Sequence, residues 1–324
     1  MRQKIALTMG DPAGIGPELV LRALTDSRVL AVAEPLLYGD AGVLELVAKK
    51  LGLPGPAPER VVETSSIDTS NLQPGRAGSE AGRAMIAAVE RAVKDALSGK
   101  VSAVVTAPIN KETASLSGFS FPGHTEFIAH LCGDIDPVMM LCGPRSDDLK
   151  VALVTTHVSM RELPALITEE SIFYTLKVTA DSLKSRFAIE KPSIAVAGLN
   201  PHAGEGGIFG AEEQEVIAPA IKRARAAGIN VTGPEPPDTV FYRAVRKKEF
   251  NAVVCMYHDQ GLGPLKLLHF DDGINVTLGL PVIRTSPDHG TAYDIAWKGE
   301  ANPLSLISAI EMAAKMAGNR EKFL

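Results

Sequence analysis

SIAVAGLNPHAGEGG, residues 193–207, reads as two objects joined end to end. The first half is a short, almost continuously apolar run. The second is polar and rich in glycine. An apolar run without polar alternation is a strand buried on both faces, which calls for a parallel or mixed sheet covered by helices. Four more runs share the form: KIALTMG (4–10), VSAVVTAP (101–108), VALVTTH (151–157) and NAVVCMYH (251–258). Helical patterns lie between them. SEAGRAMIAAVERAVKDAL (79–97) puts Met85, Ile86, Val89, Val93 and Leu97 on one stripe. Residues 212–227 carry acids in the first turn, with Lys222, Arg223 and Arg225 near the end and Gly228 placed to stop the helix. Residues 305–318 form a last helix with Ser305 as its cap. The fold class is therefore α/β.

Composition sets the outer limits. With 324 residues, 45% hydrophobic and 22% charged, the chain can bury a large core as one or two domains. A net charge of -5 argues against nucleic acid, because counterion release needs clustered Lys and Arg. No apolar run approaches the ~20 residues that span a bilayer, and MRQKIALTMGD reaches an acid too soon for a signal segment, so the expectation is a cytoplasmic protein that does not bind membranes. Cys132, Cys142 and Cys255 form no close pair and read as reduced packing residues.

His157, His202 and His258 each follow a buried strand. In open α/β sheets ligands bind beyond the carboxyl ends of the strands, so these imidazoles can converge although far apart in sequence. Taken singly, each fits a strand-end residue bonded to a carbonyl. Together they make a three-ligand site for a divalent metal such as zinc, cobalt, nickel or iron, with positions left open for water or substrate. Asp259 and Glu205 are candidates to orient a ligand histidine.

Lys266, Asn275, Arg284, Asp288 and His289 lie in one region after the His258 strand, and Lys and Arg there could hold a phosphate or carboxylate or remain solvated. Pro122-Gly123-His124-Thr125-Glu126 reads as a turn opening a helix, offering backbone N–H groups to an anion or simply capped by Thr125. GDPAGIGPE (10–18) is glycine-rich but fits neither GxGxxG nor the Walker pattern, so no Rossmann cofactor site is expected there.

Seven motifs in order then carry a resemblance over nearly the whole chain: GDPAGIGPE (10–18), TAPINKE (106–112), PGHTEF (122–127), TTHVS (155–159), GLNPHAGEGG (198–207), YHDQG (257–261) and GINVTLGLPVIRTSPDHGTAYDIA (273–296). The sequence resembles the 4-hydroxythreonine-4-phosphate dehydrogenases of pyridoxal phosphate (vitamin B6, pyridoxine) biosynthesis. The resemblance implies a fold like isocitrate and isopropylmalate dehydrogenases, with two α/β/α lobes and a central cleft. One lobe would comprise 1–127 and 286–324, and the other 128–285. It implies a homodimer whose active site is shared, His157 and His202 meeting His258 of the other subunit at the metal, which would be zinc, magnesium or cobalt.

By the same resemblance His124, Thr125, Lys266, Asn275 and Arg284 hold the substrate, and His124, Asp259 and Lys266 are the catalytic candidates. Asp288, His289, Gly290 and Asp294 would face NAD or NADP, although Trp297 stands where the family usually has glycine. The implied reaction oxidises 4-phosphooxy-L-threonine to 2-amino-3-oxo-4-phosphooxybutanoate, which decarboxylates to 3-amino-2-oxopropyl phosphate. The alternatives are a sister dehydrogenase acting on 4-phospho-D-erythronate, 4-phospho-threonate or a cyclic dihydrodiol acid, and a non-catalytic metal-binding protein.

Overall fold

A computed structural model describes residues 2–145 and 148–320. Its strands are β1 (Gln3–Thr8), β2 (Ala33–Gly39), β3 (Val61–Glu63), β4 (Ala103–Thr106), β5 (Val138–Cys142), β6 (Lys150–Leu153), β7 (Ile194–Ala197), β8 (Val231–Glu235), β9 (Ala252–Cys255), β10 (Ile274–Leu278) and β11 (Arg284–Pro287). The five apolar runs all form strands, and β4, β6, β7 and β9 are buried at every position. The mixed α/β class expected from them holds.

The described residues divide into two compact units, one made of 2–137 together with 280–320, the other of the described residues within 138–279. In the first unit the order is β3-β2-β1-β4-β11, every pair parallel. Helix Ser79–Leu97 covers the face bearing Ala6, Tyr38 and Val104 through Ala88 and Ala92. Thr285 is paired with Val105 and so points to the opposite face. There its hydroxyl donates to the Ala309 carbonyl of helix Leu304–Arg320.

In the second unit the order is β10-β5-β6-β9-β7-β8. β5 runs antiparallel to both neighbours, while β6, β9, β7 and β8 are parallel. The carboxyl ends of β6, β7 and β9 therefore open on one edge. Their core joins Val151, Leu153, Ala195, Val253 and Cys255 to Leu262 and Leu265 of helix His258–Leu268. Gly261 permits that packing, since a Cβ there would lie 3.1 Å from both Cys255 Sγ and Val151 Cβ. Cys132, Cys142 and Cys255 form no disulfide among the described residues.

Local expectations needed four corrections. Leu97 ends its helix 48% exposed, off the buried stripe. Ser305 lies inside the last helix, buried, and its hydroxyl accepts from the Asp288 N–H; Asn302 Oδ1 serves the first turn instead, through the N–H of Leu304. Thr125 is the second residue of helix His124–Leu131, whose N-cap is Gly123. The breaks between units fall at 137/138 and 279/280, where 127/128 and 285/286 were expected. Phe127, Ile128 and Ala129 pack in one cluster with Val89, Val93, Leu280 and Val282, and Arg284 belongs to β11 beside β4, so both segments stay with the first unit. No helix among the described residues is long and apolar enough to cross a membrane.

Candidate active site

In the first unit the adjacency of β4 and β11 brings Arg284 to Thr106, and its Nη2 donates to the Thr106 hydroxyl at 2.8 Å. Arg284 is 3% exposed, and burial lowers the guanidinium to about 10, with the Glu126 carboxylate working the other way. His124 opens helix His124–Leu131 close by. Burial, and then the charge of Arg284, hold its imidazole well below 6.5, so it is neutral at pH 7. His124 Nε2 is buried with no hydrogen-bond partner. A buried polar atom left without a partner costs about 1–3 kcal/mol. A bound phosphate or carboxylate oxygen beside the guanidinium would satisfy it, aided by the first N–H groups of the helix that carries Thr125.

Asp288, His289, Gly290 and Asp294 lie on one loop leading to Trp297. His289, Gly290 and Asp294 are exposed. Trp297 is 4% exposed, adopts a left-handed backbone (φ 57°) and donates its indole N–H to the Pro12 carbonyl at 3.1 Å. The glycine-rich segment at 10–18 thus acts as the seat of this loop. Ile15 N–H donates to Thr291 O, and the buried Glu18 carboxylate accepts from the N–H groups of Gly299 and Ala301.

In the second unit the parallel β6 and β9 bring His157 and His258 together, ring centroids 5.4 Å apart. His258 Nδ1 lies 2.7 Å from an Asp259 oxygen. His202 follows β7 on a run of left-handed residues, His202 to Gly206, with its ring 6.2 Å from that of Phe209. Glu205 lies on that run and is exposed. Glu213 supports the loop: it is 3% exposed and accepts from Asn200 N at 2.7 Å and Asn200 Nδ2 at 3.0 Å. Gly204 faces this carboxylate; a Cβ there would lie 2.6 Å from Glu213 Oε2. Among the described residues, no group of three or more His, Cys, Asp or Glu side chains could hold a metal ion. The metal site implied by the resemblance takes His258 from a second copy, so a single chain does not present it whole.

Lys266 sits in the last turn of helix His258–Leu268, its Nζ 5.5 Å from the centre of the Phe270 ring. Asn275 lies on β10, where its Oδ1 is buried without a hydrogen-bond partner.

The profile of the family described as pyridoxal phosphate biosynthetic protein PdxA matches residues 31–313. The chain belongs to the PdxA family. A curated relative from Desulforapulum autotrophicum, named 4-hydroxythreonine-4-phosphate dehydrogenase, is 48% identical over 98% of this chain and 96% of its own. The crystal structure of the Klebsiella pneumoniae protein of that name is 41% identical and superposes with a TM-score of 0.87, covering 98% of each chain. A terephthalate 1,2-cis-dihydrodiol dehydrogenase from Burkholderia xenovorans is 29% identical with a TM-score of 0.68, over 97% of this chain and 98% of that one. In fold alone the likeness reaches an isocitrate dehydrogenase from Methylococcus capsulatus, 14% identical at a TM-score of 0.50, covering 99% and 87% of the two chains.

The motifs that resemble the PdxA family contain the charged groups described above, but sequence reading passed over the residues that hold them. Asn200 and Glu213 brace the His202 loop, and Glu18 clamps the chain after Trp297. The signal for Glu18 was its setting, GIGPELVL, where a lone acid stands among apolar and small residues.

Proposed function

We propose that this PdxA-family chain is a cytoplasmic dehydrogenase that oxidises 4-phosphooxy-L-threonine with NAD or NADP, giving 2-amino-3-oxo-4-phosphooxybutanoate and, after loss of carbon dioxide, 3-amino-2-oxopropyl phosphate. Full-length similarity to relatives of that name supports the reading. The observation that carries it is the buried Arg284 beside the unpartnered His124 Nε2. The pair offers an anion both a charge and a neutral hydrogen-bonding group.

His124, Thr125, Lys266, Asn275 and Arg284 bind the phosphate and carboxylate in this reading. Binding energy at those groups would fix the carbinol carbon; a bound nicotinamide would supply the hydride acceptor, and a nearby base would take the hydroxyl proton. His124 and Asp259 are the candidates for that base, and Lys266 adds positive charge. Asp288, His289, Gly290 and Asp294 receive the dinucleotide.

His157 and His202 of one copy, with His258 of a second copy, hold the divalent metal in a homodimer. Support for a second copy is the apolar surface of the second unit, where Leu267, Phe270 and Ile208 are 87%, 76% and 76% exposed.

The deciding experiment incubates purified protein with NAD⁺ or NADP⁺, one divalent metal at a time, and each acid, following reduced nicotinamide by absorbance. Turnover on 4-phosphooxy-L-threonine is expected. Turnover confined to 4-phospho-D-erythronate, 4-phospho-threonate or a cyclic dihydrodiol acid would replace the substrate, and silence with every acid would overturn the dehydrogenase reading.

A further inference from the structure

One buried network of the first unit has no part in the chemistry above. Asp11, fully buried just after β1, accepts the Ala13 N–H through Oδ1 at 2.8 Å and the Tyr293 hydroxyl through Oδ2. The Tyr293 phenol oxygen also lies 2.6 Å from the hydroxyl of Thr113, itself fully buried. Three distant segments, GDPAGIGPE, TAPINKET and DHGTAYDIA, thus meet at a single phenol.

The loop that carries Tyr293 does not hold its form unaided. Ala292, immediately before it, has φ 40°, and Trp297 has φ 57°. Left-handed backbone is unfavourable for residues with a Cβ and persists where surrounding contacts over-determine it. Trp297 is tied by its indole N–H to Pro12, and Thr291 by its carbonyl to Ile15. At the centre of the loop the tie is Tyr293. Its hydroxyl is bound to a carboxylate that burial raises above the ordinary range, in surroundings where a lost partner is not replaced by water.

We propose that Tyr293, anchored by Asp11 and Thr113, is the positioning residue that holds the loop from Asp288 to Asp294 in the shape that receives the nicotinamide dinucleotide. This rests on the dehydrogenase reading above. Tyr293 acts through the loop and does not itself meet the substrate. Its loss should weaken dinucleotide binding while sparing the acid.

Trp297 is the sole tryptophan of the chain, so its emission reports on this loop alone. The test titrates the intact protein with NAD⁺ and with NADP⁺, follows Trp297 fluorescence, and measures KM for dinucleotide and acid separately. For Tyr293→Phe, the dinucleotide concentration at half-saturation is expected to rise roughly tenfold, the scale of one lost hydrogen bond to a charged group. The acid KM, and kcat at saturating dinucleotide, should stay within about twofold. Thr113→Ser, which keeps the hydroxyl, should behave as wild type, and Thr113→Val should follow Tyr293→Phe.

Unchanged dinucleotide binding in a folded Tyr293→Phe protein would overturn the inference, as would equal weakening toward dinucleotide and acid. Should Tyr293→Phe fail to fold, the two Thr113 variants decide by the same readings. Wild-type protein that neither binds a dinucleotide nor turns over any acid would overturn the dehydrogenase reading as well, which separates the two failures.

Discussion

The two units place their charged groups in opposite settings. In the first, Arg284 and His124 are buried, and burial shifts both: the guanidinium comes down to about 10 and stays charged, while the imidazole, also beside that charge, is held neutral. In the second, His157 and His202 stand exposed on loops beyond strand ends, and among the described residues no three acid, thiol or imidazole groups make a metal-holding set. The first arrangement is fixed within the unit by strand β4 and by the helix that His124 opens. The second is a set of donors brought to one edge by parallel strands and carried on the loops that follow them.

Replacing Arg284 attacks the buried side of this contrast and should have the largest effect. Arg284→Met removes the charge facing the anion, and kcat/KM should fall about a thousandfold, the scale of losing one member of a buried charge pair. The urea midpoint should not fall, because a guanidinium held out of water contributes little net stability relative to an apolar side chain of similar size. A midpoint that drops together with activity would mean that Arg284 is structural and would erase the contrast.

His202→Ala probes the exposed side. Bound metal, measured by elemental analysis after dialysis, should be lost, while circular dichroism and thermal midpoint stay as in wild type, because the side chain lies outside the core. Full metal occupancy in this variant would remove His202 from the ligand set.

The smallest effect sharpens the electrostatic half of the comparison. His124 in the folded protein titrates well below 6.5, whereas in the unfolded chain it titrates near that value. Below 6.5 the unfolded state therefore binds more protons, so this contribution to stability is complete above 6.5 and is lost as pH falls. The slope is at most about 1.4 kcal/mol per pH unit. Urea midpoints above and below 6.5 should diverge more for wild type than for His124→Gln, and parallel curves would show that His124 is solvated.

Strands legible in the sequence were those whose partners bury both faces. KVAL, IAVA and AVVC announce themselves because every position is apolar or tucked away. Strand β8, VTGPE, was missed because a Gly-Pro pair imitates a turn, and β11, RTSP, because its burial comes entirely from neighbours. The same division runs through the site. Histidines after apolar runs could be placed at strand ends, but whether their rings meet depends on loop shape. For His202 that shape rests on the grip of Glu213 on Asn200, a tertiary contact with no local signature. Asp11 and Tyr293 were passed over for a related reason, since their partnership spans 282 positions.

The first unit is assembled from both ends of the chain, and this orders events during synthesis. Strands β1 to β4 leave the ribosome early, yet β4 has no neighbour on its open side until residues 284–287 follow, after the entire second unit has been made. The second unit is contiguous and can fold as soon as it emerges. Through that interval the nascent protein carries a half-built parallel sheet with an unpaired apolar margin, the form of edge most prone to pair with another chain. Slow translation across residues 138–279 would lengthen that exposure, so demand for chaperone protection should be set by the length of the inserted unit.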